Sequence, residues 1–172
     1  MGLELSQEKP GAPEPLNLTH ELDSFNSGNE QLDSWLKQRA FKNQQGGASR
    51  TYVVCIRQHV IAYYCLASGS VVNATAPSRV RRNMPDPIPV VVIGRLAVDQ
   101  AWQNQGLGKA LVRDTILRIV QAAEIVGIRA VLVHAISQQA KQFYEKLGFT
   151  VSPIELMTLM VSVADIKSEL GL

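Results

Sequence analysis

In the stretch WQNQGLGKAL, Trp102 to Leu111, polar residues run into two glycines one residue apart, Gly106 and Gly108. The apolar run VVVIGRLAVD precedes this stretch and an apolar helical pattern follows it. Strand, glycine-rich turn and helix together can bind phosphate oxygens. The first N–H groups of a helix have no internal partner, the helix dipole places partial positive charge there, and a residue without Cβ lets a ligand come close. The same order of elements also serves as a plain turn. Spacing removes two phosphate loops. A P-loop needs Ser or Thr after its Gly-Lys, and Ala110 follows Lys109. A dinucleotide fingerprint needs a third Gly where Leu111 stands. The pattern Gln103-x-x-Gly106-x-Gly108 survives.

Other residue types carry chemistry elsewhere. Tyr144 lies in SQQAKQFYEKLG, a helical stretch with Ser137 as N-cap and Gly148 as stop. Its phenol is either a hydrogen-bond donor in a site or the polar tip of a core ring. His134 ends the apolar run AVLVHA, as a base or as a structural side chain. Glu30 and Asp33 fall at the start of a helix, where capping and solvation account for carboxylates. The run RVRR supplies Arg79, Arg81 and Arg82; Lys37, Arg39, Lys42 and Arg50 form a looser basic group. Each set is a phosphate-binding face or a solvated one. Arg95 interrupts a buried strand, where an unpaired charge is costly, so it reaches a cleft or pairs with Asp99 or Asp86. Cys55 and Cys65 sit in apolar runs with no metal-ligand pattern around them; they read as reduced core thiols, and no metal is expected.

These residues need elements to position them. A helix is expected from about Asn29, with Leu32, Trp35, Leu36 and Ala40 at helical spacing and Gly46-Gly47 as its end. SRTYVVCI and VIAYYCLASGSVV flank RQH as two hairpin strands. The segment 73–89 holds four prolines and reads as a long loop, or a short helix with loops. The strand VVVIGRLAVD, a helix over about 106–126, the buried strand IRAVLVHAI, the Tyr144 helix and two closing strands, FTVS and ELMTLMVSV, follow. A short acid–base tail ends the chain. The order predicts an α/β (α+β) fold with a mixed sheet and helices on its faces.

Composition sets the outer bounds. The 172 residues are 46% hydrophobic and 19% charged with net charge +2, so one globular domain fits and charge alone does not argue for nucleic acid. Residues 1–15, with three of the eight prolines, read as a flexible lead-in to a single domain over 16–172. That start lacks the basic and apolar regions of a signal peptide, and Met-Gly with Ser6 is only a partial myristoylation pattern. No apolar run approaches the ~20 residues of a membrane span. A cytoplasmic protein is expected.

Gln103-x-x-Gly106-x-Gly108 after GRLAVD resembles motif A of the GNAT superfamily of N-acetyltransferases, and AKQFYEKLGF at 140–149 resembles its second signature. The similarity covers roughly residues 15 to 163. More narrowly, FNSGNEQLDSWLKQRAFKNQ, IAYYCLASGSV, RRNMPDPIP and GRLAVD resemble the acetyltransferase toxins of bacterial toxin–antitoxin pairs. The resemblance implies a GNAT fold of about six to seven strands and an acetyl-CoA-dependent enzyme. That enzyme would acetylate the α-amine of aminoacyl-tRNA and so block translation. It implies a ribbon-helix-helix antitoxin, operator DNA bound through that complex, and a homodimer. Acetylation of a protein N-terminus, a lysine or a small amine is the alternative acceptor reading; a CoA-binding module without turnover is the non-enzymatic one.

Residue by residue, the resemblance implies that the amides of Asn104, Gln105, Gly106, Leu107, Gly108 and Lys109 hold the pyrophosphate, with Gln103 supporting the loop or touching phosphate. Leu96, Ala97 and Val98 would present backbone groups to the pantetheine where the strand splays from its neighbour, with an N–H near Val98 toward the thioester oxygen. Tyr144 would protonate or hydrogen-bond the departing thiolate. Ser137 stands where many members carry Asn at the cofactor. Lys37, Arg39, Lys42, Arg79, Arg81 and Arg82 are the implied tRNA contacts, and Arg95 would shape the acceptor or cofactor site.

Overall fold

A computed structural model describes residues 8–172; Met1, Gly2 and Ser6 lie outside the described residues. These form strands β1 (Glu14–Pro15), β2 (Arg50–Ile56), β3 (His59–Val71), β4 (Ile88–Val98), β5 (Ala130–His134), β6 (Thr150–Val151) and β7 (Thr158–Ser162). The α-helices are α1 (Glu30–Gln38), α2 (Ala40–Gln45), α3 (Ser78–Arg81), α4 (Leu107–Ala123), α5 (Gln138–Lys146) and α6 (Val163–Leu170). The strands make one sheet in the order β1-β2-β3-β4-β5-β7-β6. β4 and β5 pair in parallel and β5 and β7 antiparallel, so the sheet is mixed and the fold α/β, as the element order predicts. Residue contacts divide the chain into two compact units. One comprises the described residues up to Leu66 and residues 95–114, the other 67–94 and 115–172.

In the first unit, Leu32, Trp35 and Leu36 turn the apolar stripe of α1 onto β3 residues. Trp35 stacks on Tyr63 at 6.0 Å, Phe25 meets the same ring edge-on at 5.6 Å, and Tyr63 Oη donates to the Leu32 carbonyl at 2.6 Å. Asn29 caps α1 by accepting from Leu32 N–H. The single helix expected over this region is two, broken at Arg39, whose φ of −119° leaves the helical range. The break aims Gln44 at β2: its Nε2 donates to the Leu16 carbonyl and its Oε1 accepts from Thr51 N–H. The lead-in is also tied down from Gly11 onward. Gly11 N–H donates to the Cys55 carbonyl, Leu16 N–H donates to Thr51, and β1 pairs with Tyr52 and Val53.

In the second unit, Val71, Ile88, Val90, Ala130, Leu132 and Met160 form a core that also takes Ala76 and Val80 from the 73–89 segment. That segment is a short helix with loops, one of the two forms its prolines allow. α4 stops at Ala123, short of the expected end. Ile125 and Val126, which extend the apolar pattern, are 85% and 58% exposed. The acid–base tail is a helix, α6. Ser162 caps it by accepting from Asp165 N–H, Gly171 ends it at φ +73°, and Val163 and Ile166 are buried.

Candidate functional site

The glycine loop lies wholly in the first unit. Asp99 closes the turn after β4: one carboxylate oxygen accepts from Ala101 N–H and the other from Asn26 N–H. Gln103 Nε2 donates to the Val98 and Ser27 carbonyls, both at 2.8 Å. It is therefore a strut under the loop. Asn104 and Gly106 both take positive φ, +63° and +83°. Gly106 has open space where a Cβ would point, so its glycine serves backbone conformation. Gly108 is inside α4 and needs no such freedom. Ala110 N–H donates to the Gly106 carbonyl, so the amides of Leu107, Gly108 and Lys109 stand ahead of the first intrahelical bond. Residues 103–106 and Lys109 are exposed. These features fit a pyrophosphate: an exposed turn, open helix amides and no Cβ at two positions.

Leu96, Ala97 and Val98 alternate as a strand requires. Leu96 and Val98 pack with Leu111, Trp102 and Leu107, while Ala97 packs with Trp35 and Tyr63. Register between β4 and β5 runs from Val90 with Ala130 to Ile93 with Val133 and stops there. β4 continues to Val98, so Leu96–Val98 lie beyond the segment that pairs with β5.

Arg95 pairs with neither carboxylate that the sequence offers it. Its guanidinium lies over the Trp35 ring, 4.4 Å from the centroid, and the ring face takes the place of a carboxylate. Asp99 is occupied by the amides above, and Asp86 accepts from Asn73 N–H. Lys37, Arg39 and Lys42 are exposed on α1, the α1–α2 break and α2. Glu30 is a solvated carboxylate, and Asp33 braces the helix start. Both lie in the first turn of α1, and Asp33 accepts from Ser27 Oγ at 2.6 Å.

Tyr144 belongs to the second unit. It is 6% exposed, with Phe143 and Phe149 edge-on to its ring at 5.1 and 5.4 Å. Its carbonyl accepts from both Leu147 and Phe149 N–H, so the helix end closes on it. Burial pushes the phenol above its ordinary pKa, keeping it a donor at neutral pH. Ser137 is the N-cap of α5, its Oγ accepting from Ala140 N–H at 3.1 Å. His134 is exposed, and its Nδ1 lies 2.8 Å from Thr158 Oγ1.

The basic run RVRR forms α3 and its C-cap. Arg79 pairs bidentately with Asp165 of α6, at 2.9 and 2.6 Å, and holds that carboxyl below the usual range. Arg81 and Arg82 are exposed and, among the described residues, have no carboxylate partner. Arg129 and Asp165 went unread in the sequence: nothing local marks either, because their partners are far along the chain.

Cys55 also departs from expectation, since Glu14 and His20 place ligand atoms within 4.8 Å of its sulfur and of each other. His20 Nδ1 accepts from Asn17 N–H, so Nε2 carries the proton and donates to Glu14 at 2.6 Å. That tautomer offers a metal no lone pair on Nε2. Burial and the Glu14 charge push the Cys55 thiol up to about 11.

Residues 48–151 match the acetyltransferase (GNAT) domain family. A tRNA-acetylating toxin of Mycobacterium tuberculosis is 46% identical over 160 residues, covering 93% of this chain and 96% of that protein. AtaT complexed with acetyl-methionyl-tRNAfMet superposes with a TM-score of 0.87 at 26% identity, over 94% of this chain and 99% of that one. A Tyr-to-Phe mutant of AtaT, bound to the C-terminus of the antitoxin AtaR and acetyl-CoA, gives a TM-score of 0.80 at 26% identity, covering 96% and 100%. The AtaT–AtaR complex bound to DNA gives 0.77 at 27% identity, covering 93% and 99%.

Proposed function

Because the chain belongs to the acetyltransferase (GNAT) family, we propose that it transfers the acetyl group of acetyl-CoA to the α-amine of aminoacyl-tRNA, as the toxin of a toxin–antitoxin pair. The 46% identity to a tRNA-acetylating toxin across nearly the whole of both chains carries this reading. The likeness to AtaT in its tRNA complex supports the same acceptor.

Acetyl-CoA supplies an activated thioester, and this chain's residues would bind and orient it. The amides from Asn104 to Lys109 hold the pyrophosphate, with Gln103 as the strut that keeps the turn open. Backbone groups of Leu96, Ala97 and Val98, beyond the part of β4 that pairs with β5, align the pantetheine. An N–H near Val98 meets the thioester oxygen as charge develops. Ser137 keeps its capping bond, so its hydroxyl has one contact fewer to offer where other members carry Asn. Tyr144 gives a hydrogen bond to the departing sulfur. A phenol near 10 or above is a weaker acid than a thiol near 8.5, so stabilising the thiolate outweighs full proton transfer. The Tyr-to-Phe mutant of AtaT studied with acetyl-CoA is in keeping with a role for tyrosine. An α-amine of pKa about 7.7–8.0 is partly neutral near pH 7, and esterification lowers it, so a water relay serves as base. His134 is left to its structural bond with Thr158.

The basic residues Lys37, Arg39, Lys42, Arg81 and Arg82 supply phosphate contacts. A ribbon-helix-helix antitoxin restrains the enzyme and carries the pair to operator DNA; the AtaT–AtaR complexes support that partner. A cytoplasmic homodimer completes the proposal; among the described residues no helix is long and apolar enough to cross a membrane. Incubation with acetyl-CoA and total charged tRNA, followed by mass spectrometry of the aminoacyl ends, tests the acceptor. N-acetylated aminoacyl ends are expected. Acetyl transfer to peptide or small amines alone would replace tRNA as the substrate.

A further inference from the structure

The basic helix α3 is too short to stand alone. Forming a first helical turn is unfavourable, and its last carbonyls lack partners within the helix. Arg129, at the start of the segment leading into β5, supplies them. Its Nε donates to the Val80 carbonyl at 2.9 Å, and its Nη2 donates to the Arg79 carbonyl at 3.0 Å and the Arg82 carbonyl at 3.3 Å. One planar guanidinium thus spans three carbonyls, which an ammonium has no fixed fork to do. Asp165 meanwhile takes the Arg79 side chain in a two-point pair. That pair is exposed and adds little stability. Its consequence is geometric, since it withdraws one of three neighbouring arginines from any other anion.

A cleft of about 800 Å³ in the same unit is lined by Arg79, Arg81 and Asp165 and by Leu147 and Gly148, at the end of the Tyr144 helix. Glu169 lines the cleft too, so its arginines and carboxylates balance; Arg81, which has no carboxylate partner among the described residues, shares this concavity with the end of the Tyr144 helix. We propose that Arg129 and Asp165 are positioning residues for RNA binding: Arg129 fixes the backbone of α3 so that Arg81 and Arg82 meet phosphates, and Asp165 keeps Arg79 out of that contact. The inference rests on aminoacyl-tRNA as the acceptor.

The test compares the wild type with Arg129→Ala, Arg129→Lys, Asp165→Ala and the Arg81→Ala/Arg82→Ala double variant. Kinetics are read on total charged tRNA and on an aminoacylated CCA trinucleotide, and tRNA binding is titrated with salt. Arg129→Ala and the double variant are each expected to raise KM for charged tRNA by about tenfold, with a smaller effect on KM for acetyl-CoA. Both should flatten the salt dependence by roughly one to two phosphate contacts. Arg129→Lys should not rescue, because charge is kept and the fork is lost. Asp165→Ala should steepen the salt dependence by about one contact as Arg79 is released, a gain that lost packing does not produce. Wild-type KM and salt slope in Arg129→Ala would overturn the proposal, as would rescue by Lys, an equal loss on the trinucleotide, or an unchanged slope in Asp165→Ala. A wild-type enzyme that leaves charged tRNA unmodified removes the acceptor reading itself, a result visible without any variant.

Discussion

The glycine loop and the basic helix α3 are both short exposed segments proposed to meet phosphate, yet they are built in opposite ways. The loop works through backbone: two positive φ angles, open amides at the start of α4 and one side chain, Gln103, that braces its neighbours. The helix α3 works through side chains, and its backbone is held from outside by Arg129. A backbone site tolerates changes of surface charge and fails when a torsion changes. A side-chain site tolerates backbone neighbours and fails when a distant anchor is lost. Tyr144 combines the two. Its ring is set by packing against Phe143 and Phe149, and its hydroxyl is the group proposed to meet the departing sulfur.

Tyr144→Phe should give the largest effect. The phenyl ring keeps its contacts with Phe143 and Phe149, so acetyl-CoA affinity and melting temperature should stay close to wild type. Loss of a positioned proton donor costs turnover about 10²–10⁴-fold. Turnover within a few-fold of wild type, with fold and binding intact, would return the residue to a purely packing role. Ionisation adds a second readout. The folded phenol titrates above the unfolded one, so stability is full below pH about 10 and falls as pH rises beyond it. Phe removes that share of the alkaline loss; Tyr63, also raised by burial, retains its own.

Gly106 tests the backbone half of the comparison. With φ at +83° and open space at the Cβ position, Val is resisted by torsion alone. Strain of about 1–3 kcal/mol is expected, or roughly 5- to 150-fold in acetyl-CoA affinity by calorimetry. Asn tolerates the left-handed region and should recover much of that loss. If Val and Asn are equally harmful, the side chain is colliding with the ligand, and conformation is the lesser cause.

The loop was legible because its determinants are local. A buried run, two glycines and an apolar helix pattern sit within about twenty residues, and the helix caps Asn29 and Ser137 announce themselves the same way. The same local reading failed where partners are remote. Arg39 breaks a helix whose periodicity runs on, because Gln44 is pulled to β2 by Leu16 and Thr51. Arg95 reads as a costly buried charge, yet an aromatic face from α1 meets it. Arg129 and Asp165 look like ordinary surface charges until the fold sets them on α3. The tail 163–170 carried local signals, Ser162 and Gly171, but its mixed polarity outweighed them.

Ser162→Ala probes that overlooked helix. The hydroxyl accepts from Asp165 N–H at 3.0 Å, and removing such a cap costs about 1 kcal/mol. Denaturant unfolding should show that loss. Because α6 carries Asp165, tRNA affinity should shift in the direction of the Asp165→Ala variant, by a smaller amount. A stability change with no trace in the salt titration would separate α6 from the basic helix.

Arg95→Met should have the smallest effect, and it separates structure from chemistry in the first unit. Met keeps the stem over Trp35 and a polarizable tip, while the cation over the ring is lost. An exposed cation–π contact is worth about 0.5–1 kcal/mol, and Arg95 is half-buried, so a stability loss near that range is expected. Since its head faces an aromatic ring, KM for acetyl-CoA and the salt dependence of tRNA binding should hold to within about twofold, less than one phosphate contact would cost. A flattened salt slope here would mean that the guanidinium leaves Trp35 for phosphate when RNA binds, and the first unit would then hold a phosphate contact of its own.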